Sequence, residues 1–203
     1  MNDSMATKIR STELLRPRVA TSVDVPALSN LLAEAFFDDP VFRWCFSDSS
    51  RRREILPRWF ELVVSANLGH GEIYTNDGVI AGAVWLPPNT DDDEQLTTAL
   101  GEVSGEFVGN LFDAFELMAE QHPHEPHHYL FLLATSPEWQ GCGAGSAVLR
   151  PVLDMCDRDA MPAYLEATTE RNKALYLRHG FEVVGEINLP KGPSMWPMWR
   201  SPS

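Results

Sequence analysis

Gln140-Gly141-Cys142-Gly143-Ala144-Gly145 follows the apolar run Tyr129-Leu130-Phe131-Leu132-Leu133-Ala134 and leads into Ser146-Ala147-Val148-Leu149. A glycine loop between a strand and a helix start leaves backbone N–H groups unpaired at the positive end of the helix, and glycine lets the chain turn tightly and approach a ligand closely. That combination suits a pyrophosphate, with a plain tight turn as the competing reading. A P-loop ends in Gly-Lys-Ser/Thr, whereas Gly145 is followed directly by Ser146, which argues against nucleoside triphosphate hydrolysis. The dinucleotide fingerprint starts right after its strand, whereas Ser136 to Gln140 intervene here and Ser146 occupies the third glycine position; a nicotinamide dehydrogenase is disfavoured. Cys142 offers a nucleophilic thiol, but in a loop that presents backbone it reads better as inert filler. His122-Pro123-His124-Glu125-Pro126-His127-His128 has the composition of a metal site, yet two prolines break the regular geometry that aims ligands at one ion. A polar linker is the reading, no metal is expected, and His127 or His128 stays a weaker candidate for touching an acceptor or a water.

Gln140-x-x-Gly143-x-Gly145 resembles the acetyl-coenzyme A loop of GNAT N-acetyltransferases. A second stretch in register, Asn172-Lys173-Ala174-Leu175-Tyr176 followed by Gly180-Phe181-Glu182-Val183-Val184-Gly185, resembles the helix, tyrosine and Gly-Phe strand entry that close the GNAT core. Agreement is densest over residues 129–185 and weakest over 87–127, the acceptor side. The resemblance implies a single α/β domain over residues 16–203: a mixed, mostly antiparallel sheet flanked by helices, with two central parallel strands that splay apart. It implies acetyl-CoA as co-substrate, with Leu133, Ala134 and Thr135 along its pantetheine arm and Gly141, Cys142, Gly143, Ala144, Gly145 and Ser146 donating to its pyrophosphate. Asn172 would be a side-chain contact, a role rivalled by helix capping.

The chemistry so implied is acyl transfer, in which a neutral amine attacks a thioester carbonyl and a thiolate leaves. An ammonium proton must be taken, the oxyanion needs a donor, and the departing sulfur needs a proton. Tyr176 matches the family's general acid, against a reading as a core aromatic. Glu166, at the end of the strand 163–167, matches a proton acceptor, against a role in ordering the turn Thr168-Thr169-Glu170. For the acceptor, the bordering segments supply Phe37, Asp38, Trp44, Trp85, Tyr129 and Trp196. Asp38 could hold a cationic group, although Asp38-Asp39-Pro40 also reads as an ordinary helix-to-turn ending.

The elements that must position these residues are read from periodicity. Residues 1–15 are polar and expected to be mobile. Cap residues at Thr21 to Asp24 and Pro26 open a helix through Leu28, Leu31, Leu32, Ala35 and Phe36 that ends before Pro40. A second helix fits 51–68, with Pro57 suggesting a start near Glu54. Residues 72–75 and 79–85 flank Asn76-Asp77-Gly78 as a hairpin. After an acidic loop at 89–94, apolar residues from Leu96 to Met118 recur at helical spacing, weakened by Gly101, Gly105 and Gly109. The strand at 129–135, a helix through Val148 to Cys156 and the strand at 163–167 form a parallel pair with a helical crossover. Residues 181–188 and 194–200 close an antiparallel pair.

With 203 residues, 44% of them hydrophobic, the chain can bury one substantial core. No apolar run nears the ~20 residues that span a bilayer, and Met1-Asn2-Asp3-Ser4-Met5 lacks signal-peptide character, so a cytoplasmic location is expected. Cys45, Cys142 and Cys156 form neither a metal spacing nor an even disulfide framework. A net charge of −13 argues against nucleic-acid or anionic-membrane partners and favours a small-molecule amine. Coenzyme A is an anion too, so local N–H groups must outweigh the global field. The expected activity is direct acetyl transfer from acetyl-CoA to a primary amine in a ternary complex. The alternatives are an acyl-CoA-binding or sensing domain without turnover, against which Tyr176 argues, and acetylation of protein amino termini or lysines. Oligomeric state has no signal in the sequence.

Overall fold

The computed structural model describes residues 13–90 and 93–203. Its strands are β1 (Pro17–Val19), β2 (Ile73–Asn76), β3 (Ala81–Leu86), β4 (His128–Thr135), β5 (Ala163–Ala167), β6 (Glu182–Val183), β7 (Ile187–Asn188) and β8 (Ser194–Arg200). They lie in the order β1-β2-β3-β4-β5-β8-β6, with β7 also paired to β8, and each pair is antiparallel except β4 with β5. The α-helices are α1 (Val25–Phe36), α2 (Pro40–Cys45), α3 (Ser49–Asn67), α4 (Glu94–Ser104), α5 (Val108–Gln121), α6 (Ala144–Asp159) and α7 (Glu170–Arg178). This is the single α/β domain with a mixed, mostly antiparallel sheet that the sequence predicts. Among the described residues no helix is long and apolar enough to cross a membrane.

Local chemistry accounts for most element boundaries. The hairpin forms because Asn76 Oδ1 accepts from the amides of Ile80 (3.0 Å) and Ala81 (3.2 Å), while Gly78 takes a left-handed φ of 79°. α1 stops before Pro40 as predicted. A further short helix follows it, because Asp39 Oδ1 accepts from the amides of Val41 and Phe42 and Pro40 fits the first helical turn. α3 starts at Ser49 rather than near Glu54. Asp48 caps it through the amides of Ser50 and Arg51, and the carbonyl that Pro57 leaves unpaired belongs to exposed Arg53. The apolar repeat from Leu96 to Met118 is two helices, broken where Gly105 adopts φ 56° and ψ −123°. Residues 181–188 likewise hold two short strands rather than one. The mobile terminus expected over residues 1–15 falls mostly outside the described residues; Leu15 packs against the core.

Two cores sandwich the sheet. On one face Leu28, Leu32, Phe46, Leu56, Trp59, Phe60 and Val63 cluster under α1–α3; on the other Val148, Leu149 and Val152 of α6 pack on Ala83, Trp85 and Leu165. The register along β3 and β4 runs Val84↔Leu132 and then Trp85↔Leu130, so Phe131 is an extra residue in β4. This bulge reverses the alternation: Leu132 and Ala134 face the first core and Leu130 the second. β4 and β5 pair only at His128↔Ala163 and Tyr129↔Tyr164, while β4 stays with β3 to Thr135 and β5 stays with β8 to Ala167. Beyond Tyr129 the two parallel strands therefore diverge, and their gap opens toward the glycine loop.

Candidate active site

A cleft of about 630 Å³ fills that gap. One side of it is made by the end of β4, the loop after it and the first turns of α6 and α7. Gly141 and Gly143 take φ values of 77° and 88°, left-handed conformations open to glycine, and a Cβ at either would meet no neighbouring atom within 4 Å. Among the described residues the amides of Gly141, Gly143, Ala144, Gly145 and Ser146 have no acceptor, and all five residues line the cleft. Four consecutive free amides at the start of a 16-residue helix make an anion cradle. Cys142 differs from its neighbours: its amide donates to Trp139 O (3.4 Å), its thiol is exposed, and it does not line the cleft. Leu133, Ala134 and Thr135 line the wall, and Thr135 Oγ1 sits 3.0 Å from where a Cβ on Gly145 would stand, which leaves little room for a side chain there. Ser146 Oγ lies 2.9 Å from His179 Nε2.

Asn172 serves the capping role. Its Oδ1 accepts from the Thr169 amide (3.0 Å), its own amide donates to Thr169 Oγ1 (3.2 Å), and its Nδ2 donates to Thr168 Oγ1 (3.1 Å). It lines the cleft all the same, beside Arg171 and Arg178, which sequence reasoning missed. The two arginines stand seven residues apart, two turns of one helix, and that spacing was the available signal.

The buried titratable groups gather where the strands part. Glu166 Oε2 accepts from the Tyr129 hydroxyl at 2.7 Å, across 37 residues of chain. Burial pushes the Glu166 carboxyl up to about 7, against the opposing pull of the Tyr129 and Tyr164 hydroxyls. Its Oε1 and the Tyr164 hydroxyl are both buried and lie close enough to influence each other, but among the described residues neither makes a hydrogen bond of normal geometry. Tyr176, 5% exposed, lines the same cleft, and no hydrogen bond of its hydroxyl is found among the described residues. Burial, reinforced by the charge of Asp39, holds that phenol well above its usual range. Asp39 is the carboxylate the sequence did not single out. It lines the cleft, its pKa is raised by burial, and it accepts from Thr168 Oγ1 as well as capping α2. Asp39, Thr168 and Asn172 thus tie the start of α2 to the start of α7.

The acceptor candidates divide. Asp38 and Tyr129 line the cleft; Phe37, Trp44, Trp85 and Trp196 do not. Trp85 is fully buried in the core beneath α6, because strand alternation turns it away from Val84 on the opposite face. The Phe37 ring is covered by the guanidinium groups of Arg52 and Arg53, at 4.7 and 4.4 Å from its centroid. Trp44 Nε1 donates to Pro190 O (3.1 Å), and the Trp196 ring carries Lys173 Nζ at 4.1 Å. In their place, α2 and α5 supply Val41, Phe42, Cys45, Leu111, Ala114, Phe115 and Met118. Burial pushes the Cys45 thiol up to about 12, so it is no thiolate at neutral pH. His127 and His128 stand outside the cleft, against Glu125 O and the Glu72 carboxylate. Among the described residues no three His, Cys, Asp or Glu side chains group as metal ligands.

A mixed sheet split between two parallel strands, with free amides at the mouth of the split, defines an acyl-coenzyme A transferase architecture. The chain belongs to the acetyltransferase (GNAT) family, whose model matches residues 26–181, and it is accordingly an acyltransferase. An uncharacterized N-acetyltransferase of Schizosaccharomyces pombe is 23% identical over 185 residues, 82% of this chain and 74% of the relative. A crystal structure of histone acetyltransferase HPA2 and related acetyltransferase from Corynebacterium glutamicum superposes with a TM-score of 0.70 at 29% identity, covering 93% of this chain and 96% of the other. Arylalkylamine N-acetyltransferase 2 of Aedes aegypti shares the fold at 15% identity, with a TM-score of 0.66 over 93% and 99% of the chains. The family generally uses acetyl-CoA as co-substrate.

Proposed function

We propose that this enzyme transfers an acetyl group from acetyl-CoA to the primary amine of a small molecule, with Glu166 as base and Tyr176 as acid. The observation that carries the reading is the convergence on one cleft of a carboxyl raised to about 7 and, among the described residues, a phenol without a partner and the free amides of Gly141 and Gly143–Ser146. Those amides fit a diphosphate, the Arg171 and Arg178 guanidiniums add positive charge against the overall −13, and Leu133 to Thr135 would flank the pantetheine arm. Acetyl-CoA supplies an activated acyl carbon on a good thiol leaving group. Glu166 Oε2 takes the proton from the incoming ammonium, and a carboxyl raised to about 7 can change protonation state near neutral pH, as a base must. The Tyr176 hydroxyl, kept protonated by burial and by Asp39, donates its proton to the departing sulfur. Asp38 also lines the cleft, with its charge directed at the Arg52 guanidinium.

Release of free thiol from acetyl-CoA, measured against a panel of primary amines, tests the reading. The sequence from Arg18 to Pro193 resembles puromycin N-acetyltransferase, so puromycin belongs in that panel. Release with one or more small amines is expected. Tight acetyl-CoA binding with no release on any amine would point to a sensing domain, and release only on peptides to protein acetylation.

Tyr129 supplies the base with its hydrogen bond and thereby its working pH. Tyr129→Phe removes a donor to the ionised carboxylate, a loss on the order of 1.5 kcal/mol or about one pKa unit. The midpoint of the pH–kcat profile should move up by about one unit, cutting kcat at pH 7 roughly fivefold while the alkaline plateau is kept. A uniform drop at every pH would instead mark Tyr129 as structural only.

A further inference from the structure

Resting on the acetyl-transfer reading, we propose that the acceptor half of the cleft is an apolar subsite for a monoamine with an aliphatic or aromatic body, with α5 as the wall that excludes polyamines. Leu111, Ala114, Phe115 and Met118 of α5 all line the cleft, and their spacing of three, four and seven residues puts them on one helix face. Phe36 and Phe42 face the same cleft, so its floor beside the reacting groups is carbon. An acceptor gains there by shedding water from an apolar body.

The carboxylates of the lining serve one cation and leave a second without a partner. Both oxygens of Asp39 already accept hydrogen bonds, from Val41, Phe42 and Thr168. Glu166 is committed to the amine that reacts. Asp38 acts on the Arg52 guanidinium, as does Asp48, and Arg43 and Arg53 add positive charge to the same neighbourhood. The second ammonium of a diamine would therefore be buried against α5 without a counter-charge, which is strongly unfavourable.

Butylamine and 1,4-diaminobutane match in length and differ by that second charge; 2-phenylethylamine adds an aromatic body. At saturating acetyl-CoA, kcat/KM for butylamine and 2-phenylethylamine should exceed that for the diamine by at least about tenfold. Calorimetry with coenzyme A present should show the same order of amine affinity, independently of turnover. Met118→Glu supplies the missing counter-charge and should raise kcat/KM for the diamine at least about fivefold, a gain that misfolding cannot mimic. Equal or better use of the diamine by the unaltered protein would overturn the apolar assignment while leaving acetyl transfer standing. A folded Met118→Glu protein with no gain on the diamine would overturn the role of α5, and no thiol release with any amine would overturn both this inference and the reading beneath it.

Discussion

Tyr176→Phe should lower kcat at least about a hundredfold, equivalent to about 2.7 kcal/mol of transition-state stabilisation, with the KM for acetyl-CoA nearly unchanged. The size follows from the job. Without a proton donor the thiolate must leave as an anion into a cleft walled largely by carbon, where charge is poorly solvated. The variant is also a clean one. The Tyr176 ring packs against Phe181 at 6.0 Å between centroids, a contact phenylalanine keeps, and among the described residues the hydroxyl has no partner to orphan. Melting temperature should therefore hold within a few degrees. Because the phenol is pushed far above its usual range, the substitution removes activity at all pH values near neutrality without moving the profile's midpoint. A kcat within threefold of the parent would remove Tyr176 from the mechanism.

Glu166→Gln should act on a different axis. Here kcat falls by roughly a hundredfold or more, and the inflection near pH 7 disappears, since the amide can neither take a proton nor titrate. The sign follows from the raised pKa. The folded carboxyl holds its proton up to about 7, while the unfolded one loses it at its ordinary value near 4.5. Its favourable contribution is complete below the unfolded value and is lost as pH rises through the folded one. At pH 8 the folded state carries a buried charge that glutamine does not, so the variant should be more stable there, by up to about 3 kcal/mol. At pH 4 parent and variant should match. Lost turnover together with gained alkaline stability is the signature of a base held at the expense of the fold. An intact pH profile in the variant would assign the inflection to another group.

How much of this was legible beforehand depends on how far apart in the chain the cooperating atoms lie. The hairpin at Asn76-Asp77-Gly78, the end of α1 before Pro40 and the strand–loop–helix at 129–159 rest on contacts within a few residues, and periodicity finds such elements. The start of α3 was missed by five residues because Pro57 reads as a boundary, although its unpaired carbonyl on exposed Arg53 leaves the helix intact. The division of the helix after Leu96 lay in plain view at Gly105, but Gly101 and Gly109 carried the same signal, and only packing selected among them.

The loop of free amides, proposed as the donor side, was legible in the sequence, because the direction of consecutive amides is set by the left-handed turns at Gly141 and Gly143. Even there Cys142 departs, its amide taken by Trp139. The acceptor side belongs to the tertiary structure. One bulge at Phe131 decides which face each β4 side chain meets, the parity of β3 turns Trp85 into the opposite core, and Arg52 with Arg53 covers Phe37. The proton affinity of Glu166 was equally out of reach, since it is set by burial and by a hydroxyl 37 residues away. Sequence carries what neighbouring residues do to each other's backbone; the charge state of a buried group is a property of everything folded around it.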